Sequence, residues 1–147
     1  MKKILSLASL ILVLAIACAV FVGCQQPVEE QTPASLWDNA TYTADKTFGS
    51  GAKCLTVVVE AEDRSVTFTV MTDKSNVADA LVEHSLISGE ESELYGLTVY
   101  AVNGMTADFN VDGAYWAFYV NGEYALTGAS FIEVNNGDTV KIAYEKF

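Results

Sequence analysis

Two β-branched runs, Leu55-Thr56-Val57-Val58-Val59-Glu60 and Val66-Thr67-Phe68-Thr69-Val70, stand on either side of a short turn, Glu62-Asp63-Arg64. Residues of period two joined by so few turn residues predict an antiparallel hairpin with one apolar face. A lone hairpin is marginal in water, so this face needs a cover. The next segment supplies one. Asn76 is placed to cap a helix, with Asp79 suited to its positive end, and the helix is predicted over about Val77 to Leu86, stopping near Gly89. At 100° per residue, Val77, Ala78, Ala80, Leu81 and Val82 cover most of its circumference and leave Asp79 and Glu83 as a narrow polar stripe.

Further extended pieces follow: Leu97 to Val102, Tyr115 to Val120, Tyr124 with its neighbours, and Thr139 to Phe147. Asn121-Gly122 predicts a tight hairpin, because both central positions of that turn require positive φ. Asn136-Gly137-Asp138 predicts a turn before the last strand, where Val140, Ile142 and Tyr144 alternate with Lys141, Ala143 and Glu145. Hairpin, helix, then more strands predicts an α+β domain, one helix packed on a mixed sheet in the outline of a β-grasp. The patterned region, residues 53–147, is long enough for one domain with its own core. Residues 24–52 are polar and Gly/Ser/Pro-containing and read as a flexible tether, in which Trp37 and Tyr42 either dock on the domain or stay exposed.

Residues 1–23 read as a secretory leader. Lys2-Lys3 precede an uninterrupted apolar run from Ile4 to Val22, and Gly23 is followed by Cys24 and polar sequence. Gly23-Cys24 at that point resembles the lipobox of bacterial lipoproteins. The resemblance implies cleavage before Cys24, lipid on its thiol and attachment to the membrane on the side facing away from the cytoplasm. A leader cut without lipid, lipidation at Cys18, or an uncut span of the bilayer are the alternatives that the residues leave open. Without the leader the chain has 6 basic and 19 acidic residues, a net charge of −13. Such a surface repels nucleic-acid phosphates and anionic lipid headgroups, so no nucleic-acid partner is expected. With Cys24 lipidated, Cys54 has no partner and is expected to pack as a small hydrophobe.

No catalytic constellation is present. One histidine, His84, excludes a multi-histidine zinc site within the chain and is expected to be a satisfied structural residue near the helix C-terminus. Asp108-Phe109-Asn110-Val111-Asp112-Gly113 matches the first half of a calcium loop, but Tyr119 stands where a bidentate Glu is needed. No metal site and no resident cofactor are expected.

The block Tyr115-Trp116-Ala117-Phe118-Tyr119-Val120-Asn121-Gly122, with Gly128, Gly137-Asp138-Thr139-Val140 and Tyr144 after it and Val77-Ala78-Asp79-Ala80-Leu81 before it, resembles the DUF4430 family. That family is similar to the C-terminal domain of transcobalamin and intrinsic factor, in the soluble-ligand-binding β-grasp group. The resemblance covers roughly Leu55 to Phe147. It implies a non-catalytic domain for cobalamin-like or other flat solutes, with Tyr115, Trp116 and Tyr119 as ligand-binding residues. The helical barrel that completes the transcobalamin site does not fit in this chain, so a partner protein or a different ligand is implied as well. Read from the residues alone, Trp116, Phe118 and Val120 face one side of a strand and Tyr115, Ala117 and Tyr119 the other. One of these faces packs on the helix, and the other is either core or a stacking platform. A structural or adhesive cell-surface module that binds protein or glycan is the alternative function.

Overall fold

The computed structural model describes residues 34–147. The leader, Cys24 and the first part of the tether lie outside the described residues. Ala34–Phe147 forms one compact unit. Its main sheet has six strands in the order β1-β3-β2-β9-β7-β8. These are β1 (Lys46–Gly49), β2 (Lys53–Ala61), β3 (Arg64–Thr72), β7 (Ala114–Val120), β8 (Glu123–Tyr124) and β9 (Thr139–Lys146). The sheet is mixed: β1–β3 and β2–β9 are parallel, whereas β2–β3, β7–β9 and β7–β8 are antiparallel. A second sheet of three strands, β4 (Ile87–Ser92), β5 (Gly96–Val102) and β6 (Met105–Thr106), is not hydrogen-bonded to it but shares its core. Two short helices, α1 (Val77–Val82) and α2 (Phe109–Asp112), complete the α+β, β-grasp-like layout.

The predicted hairpin forms and is longer than its β-branched cores, with every residue of Lys53–Ala61 paired to Thr72–Arg64. Leu55, Val57 and Val59 face Val70, Phe68 and Val66, and all six are buried. β9 extends this apolar face with Val140 and Ile142, and β7 extends it with Phe118 and Trp116. α1 and the small sheet cover it with Val77, Leu81, Ile87, Val102 and Met105.

Asn76 caps α1 as expected: its Oδ1 accepts the Asp79 N–H at 2.8 Å and its Nδ2 donates to the Asp79 carboxylate at 2.9 Å. The helix ends earlier than predicted. Ser85 adopts φ 55°, and the Leu86 N–H returns to the Leu81 carbonyl at 3.0 Å, which closes the last turn. Gly89 is not the stop signal. It sits at a bulge in β4, where a Cβ would lie 1.8 Å from the Thr98 carbonyl oxygen. Val82, expected under cover, is 47% exposed because the shortened helix packs only through Val77, Ala78, Ala80 and Leu81. The expected mixed sheet with a packed helix is present, and a second sheet shares the covering of its apolar face. β4 escapes the sequence pattern because Glu90 and Glu91 leave it almost entirely exposed.

The tether boundary is also corrected. Residues 34–52 belong to the folded unit. Ser35 caps a 3-10 turn, Leu36–Asn39, that drives Trp37 into the core. The Trp37 indole N–H donates to the Ala61 carbonyl at 2.9 Å, and the Arg64 guanidinium lies 4.7 Å from its ring. Buried Asn103 exchanges two hydrogen bonds with the Tyr42 backbone, at 2.9 and 2.7 Å. Tyr42, Phe48 and Phe68 then meet edge to face, and β1 adds a parallel strand beside β3. Polar composition hid this segment because a few aromatic anchors, rather than a periodic face, hold it. Trp37→Ala is expected to cost about 3 kcal/mol in urea unfolding, the range for a buried tryptophan truncated in a core. A segment free of the domain would show no loss.

Candidate ligand-binding site

β7 is paired to β9 along its whole length, but on its other edge only Tyr119 and Val120 have strand partners, in β8. The predicted Asn121-Gly122 turn, with φ 50° and 88°, opens that pairing, and β8 stops after two residues. The chain then swings away through Ala125–Ala129 to a 3-10 turn, Ala129–Phe131, that lies against β5. Ser130 Oγ accepts the Leu97 N–H at 2.9 Å. Gly96 permits this approach, since a Cβ there would lie 2.5 Å from the Ser130 Cβ. A cleft of about 510 Å³ remains between the edge of β7, the edge of β5 and the loop that joins β8 to the 3-10 turn.

The floor of the cleft is buried and apolar: Leu97, Trp116, Ala117, Phe118 and Ala129. Its rim carries large exposed apolar groups, Tyr95 at 73%, Leu126 at 92%, Phe131 at 57% and Tyr124 at 50%. None of its fifteen lining residues is charged, in a chain of net charge −11. Trp116 packs edge to face on Tyr144 at 5.5 Å, and its Nε1–H is buried without a hydrogen-bond partner. An unpaired buried donor costs roughly 1–3 kcal/mol.

The strand parity separates the three residues anticipated as ligand-binding. Trp116 is in the cleft, on the inner face. Tyr115 belongs to the outer face but borders the cleft across the bare strand edge. Tyr119 does not line the cleft. It stays on the outer face, where it and Tyr115 donate to one carboxylate, Glu145, at 2.5 and 3.0 Å. To reach Glu145, the Tyr119 ring runs along the strand past the Ala117–Ala143 pair, and both alanines are buried. Lys141 Nζ stands 4.4 Å from the centre of the Tyr119 ring, and Tyr124 meets that ring edge to face at 5.4 Å. Tyr95, Leu126 and Phe131 were not anticipated. The available signal was apolar side chains placed in turn-like sequence, Leu126 beside Thr127-Gly128 above all.

Hydrogen bonding to the Glu145 carboxylate, reinforced by desolvation, pushes the Tyr115 phenol up to about 12. Tyr119 is raised by the same bond. Tyr144 is raised mainly by burial, with Asp112 and Glu62 adding to it. The other candidate residues are structural. Asp108 caps α2 by accepting the Asn110 N–H at 2.8 Å, and Gly113 ends that turn at φ 62°. The calcium-like segment is thus closed into a helical turn. His84 lies just beyond α1 against Phe48, with ring centres 5.5 Å apart, but its Nε2 is buried without a partner, so the expected satisfied histidine is unsatisfied at that atom. Cys54 is half-buried. Among the described residues, no group of three or more His, Cys, Asp or Glu side chains is placed to hold a metal ion.

The layout and the cleft define a small α+β module with a neutral aromatic hollow at an open strand edge. Residues 75–146 match the family model described as a domain of unknown function, DUF4430, which establishes the resemblance seen in the sequence. Among solved structures, a protein of Ruminococcus gnavus described as a candidate metal binding protein is similar at 29% identity and TM-score 0.60. The match covers 65% of this chain and 98% of that one. Haptocorrin in complex with Cbi is similar at 20% identity and TM-score 0.53 over 68% of this chain, and so shares the fold. This chain spans 27% of haptocorrin. No curated protein matches the sequence.

The Glu145 clamp makes a prediction. In Glu145→Gln, ionisation of Tyr115, followed by NMR of ring-labelled tyrosine, is expected to fall from about 12 towards the ordinary value of 10. The sign follows from removing a negative neighbour that disfavours phenolate.

Proposed function

We propose that this chain is a non-catalytic, surface-tethered ligand-binding lipoprotein that takes an uncharged, flat solute of cobalamin-like kind in the cleft between β5 and β7. The observation that carries the reading is the lining itself. In an acidic domain, fifteen residues without a charge surround a concave aromatic floor. A neutral planar ligand stacks on such a surface without stranding a charge. The aromatic groups border a hollow rather than a flat patch, which favours solute capture over the adhesive alternative. The fold shared with haptocorrin, a protein seen in complex with Cbi, supports the same class of ligand.

The tether rests on the leader pattern and Cys24: lipid there holds the domain at the cell membrane, facing away from the cytoplasm. Binding is the whole activity proposed. A second chain completing the cleft, as the absent helical barrel implies, is part of this reading.

Titration of the Ala34–Phe147 unit with corrinoids and porphyrins tests it. Saturable quenching of tryptophan fluorescence is expected, and Leu126→Asp, at a 92% exposed position of the rim, is expected to weaken binding at least about tenfold with unfolding unchanged. No spectral change at high micromolar ligand would sink the proposal.

A further inference from the structure

The cleft has a main-chain wall as well as aromatic ones. The Asn121 N–H donates to the Thr139 carbonyl, and the Phe147 N–H donates to the Gly113 carbonyl. The odd residues of β7 therefore exchange their hydrogen bonds with β9. The even residues point their backbone the other way, as the bond from the Ala125 N–H to the Phe118 carbonyl shows. Beyond that bond the edge is bare: the N–H and C=O of Trp116 both face the cleft with no strand beside them. The facing edge of β5 is different, because Ser130 already takes its Leu97 N–H.

Strand edges in natural sheets are usually blunted by a charge, a proline, a bulge or a covering loop. The bare stretch Ala114–Ala117 reads Ala-Tyr-Trp-Ala and has none of the first three. It is about 13 Å long at strand rise, enough for about four residues of a partner. The side chains along it alternate, Trp116 and Phe118 on the inner side and Tyr115 and Ala117 on the outer, and all four border the one cleft. All are uncharged, so an uncharged segment complements them where an ionic one would be desolvated without a counter-charge.

We infer that the bare edge of β7 takes an extended, uncharged peptide segment by strand addition, with main-chain bonds to Trp116 and side chains entering the cleft. This rests on the cleft being the binding site, and it adds a class of partner to that site. A flat solute lies on the rings, whereas a peptide strand engages the backbone between them, so the two compete.

The test uses the full chain in detergent micelles and a library of acetylated, amidated hexapeptides built from uncharged residues. Enriched sequences are expected to bind, to be displaced by cyanocobalamin, and to slow amide exchange at Trp116 at least about tenfold, read by mass spectrometry. N-methylating the peptide amides that face β7 is expected to weaken binding about tenfold per lost pair of bonds, at equal side chains. No enriched sequence, binding without protection of Trp116, or indifference to N-methylation would each overturn strand addition. Saturable corrinoid quenching alongside any of those results would leave the solute reading standing, and so would separate the two failures.

Discussion

β9 is hydrogen-bonded on both edges, parallel to β2 and antiparallel to β7. It joins a hairpin from the first half of the domain to the strand that builds the cleft. Both unions are non-local, so neither half can hold its shape without the last strand. Val140 and Ile142 are buried between Val57 and Val59 on one side and Phe118 on the other. The Asn135–Asp138 turn fixes the register. Asp138 accepts from Asn121 Nδ2 and from the Asn135 N–H, at 2.9 Å each, and these donors hold its carboxyl below the usual range. One carboxylate thereby ties the β7–β8 turn to the start of β9.

What the sequence disclosed follows from how each element is stabilised. The β2–β3 hairpin, the Asn121-Gly122 turn and β9 were legible because period-two burial and positive φ leave marks on residue type. The end of α1 was not, since Ser85 takes the left-handed conformation that the pattern assigned to glycine. The docking of residues 34–49 was hidden for another reason. Trp37, Tyr42 and Phe48 hold it one at a time, without a repeating face. The site was half legible: the strand and its aromatic residues were evident, but the bare edge is a property of what fails to pair with it. Residue type carries no trace of a missing neighbour, so Tyr95, Leu126 and Phe131 went unseen until the loop placed them.

The two faces of β7 show how one strand separates packing from recognition. On the outer side, Tyr115 and Tyr119 are tied to Glu145, and a carboxylate that accepts two phenols is well satisfied. On the inner side, the Trp116 indole is buried with its donor unmet. Polar satisfaction on one face and polar demand on the other give the strand a direction.

The strand order has a consequence for access. β1, the first strand of the folded unit, forms one margin of the main sheet, and the β7–β8 side forms the opposite margin. Four inter-strand steps separate β1 from β7, about 19 Å at ordinary spacing. The β1 margin is thus remote from the mouth of the hollow, and a change there reaches it only through the three strands between.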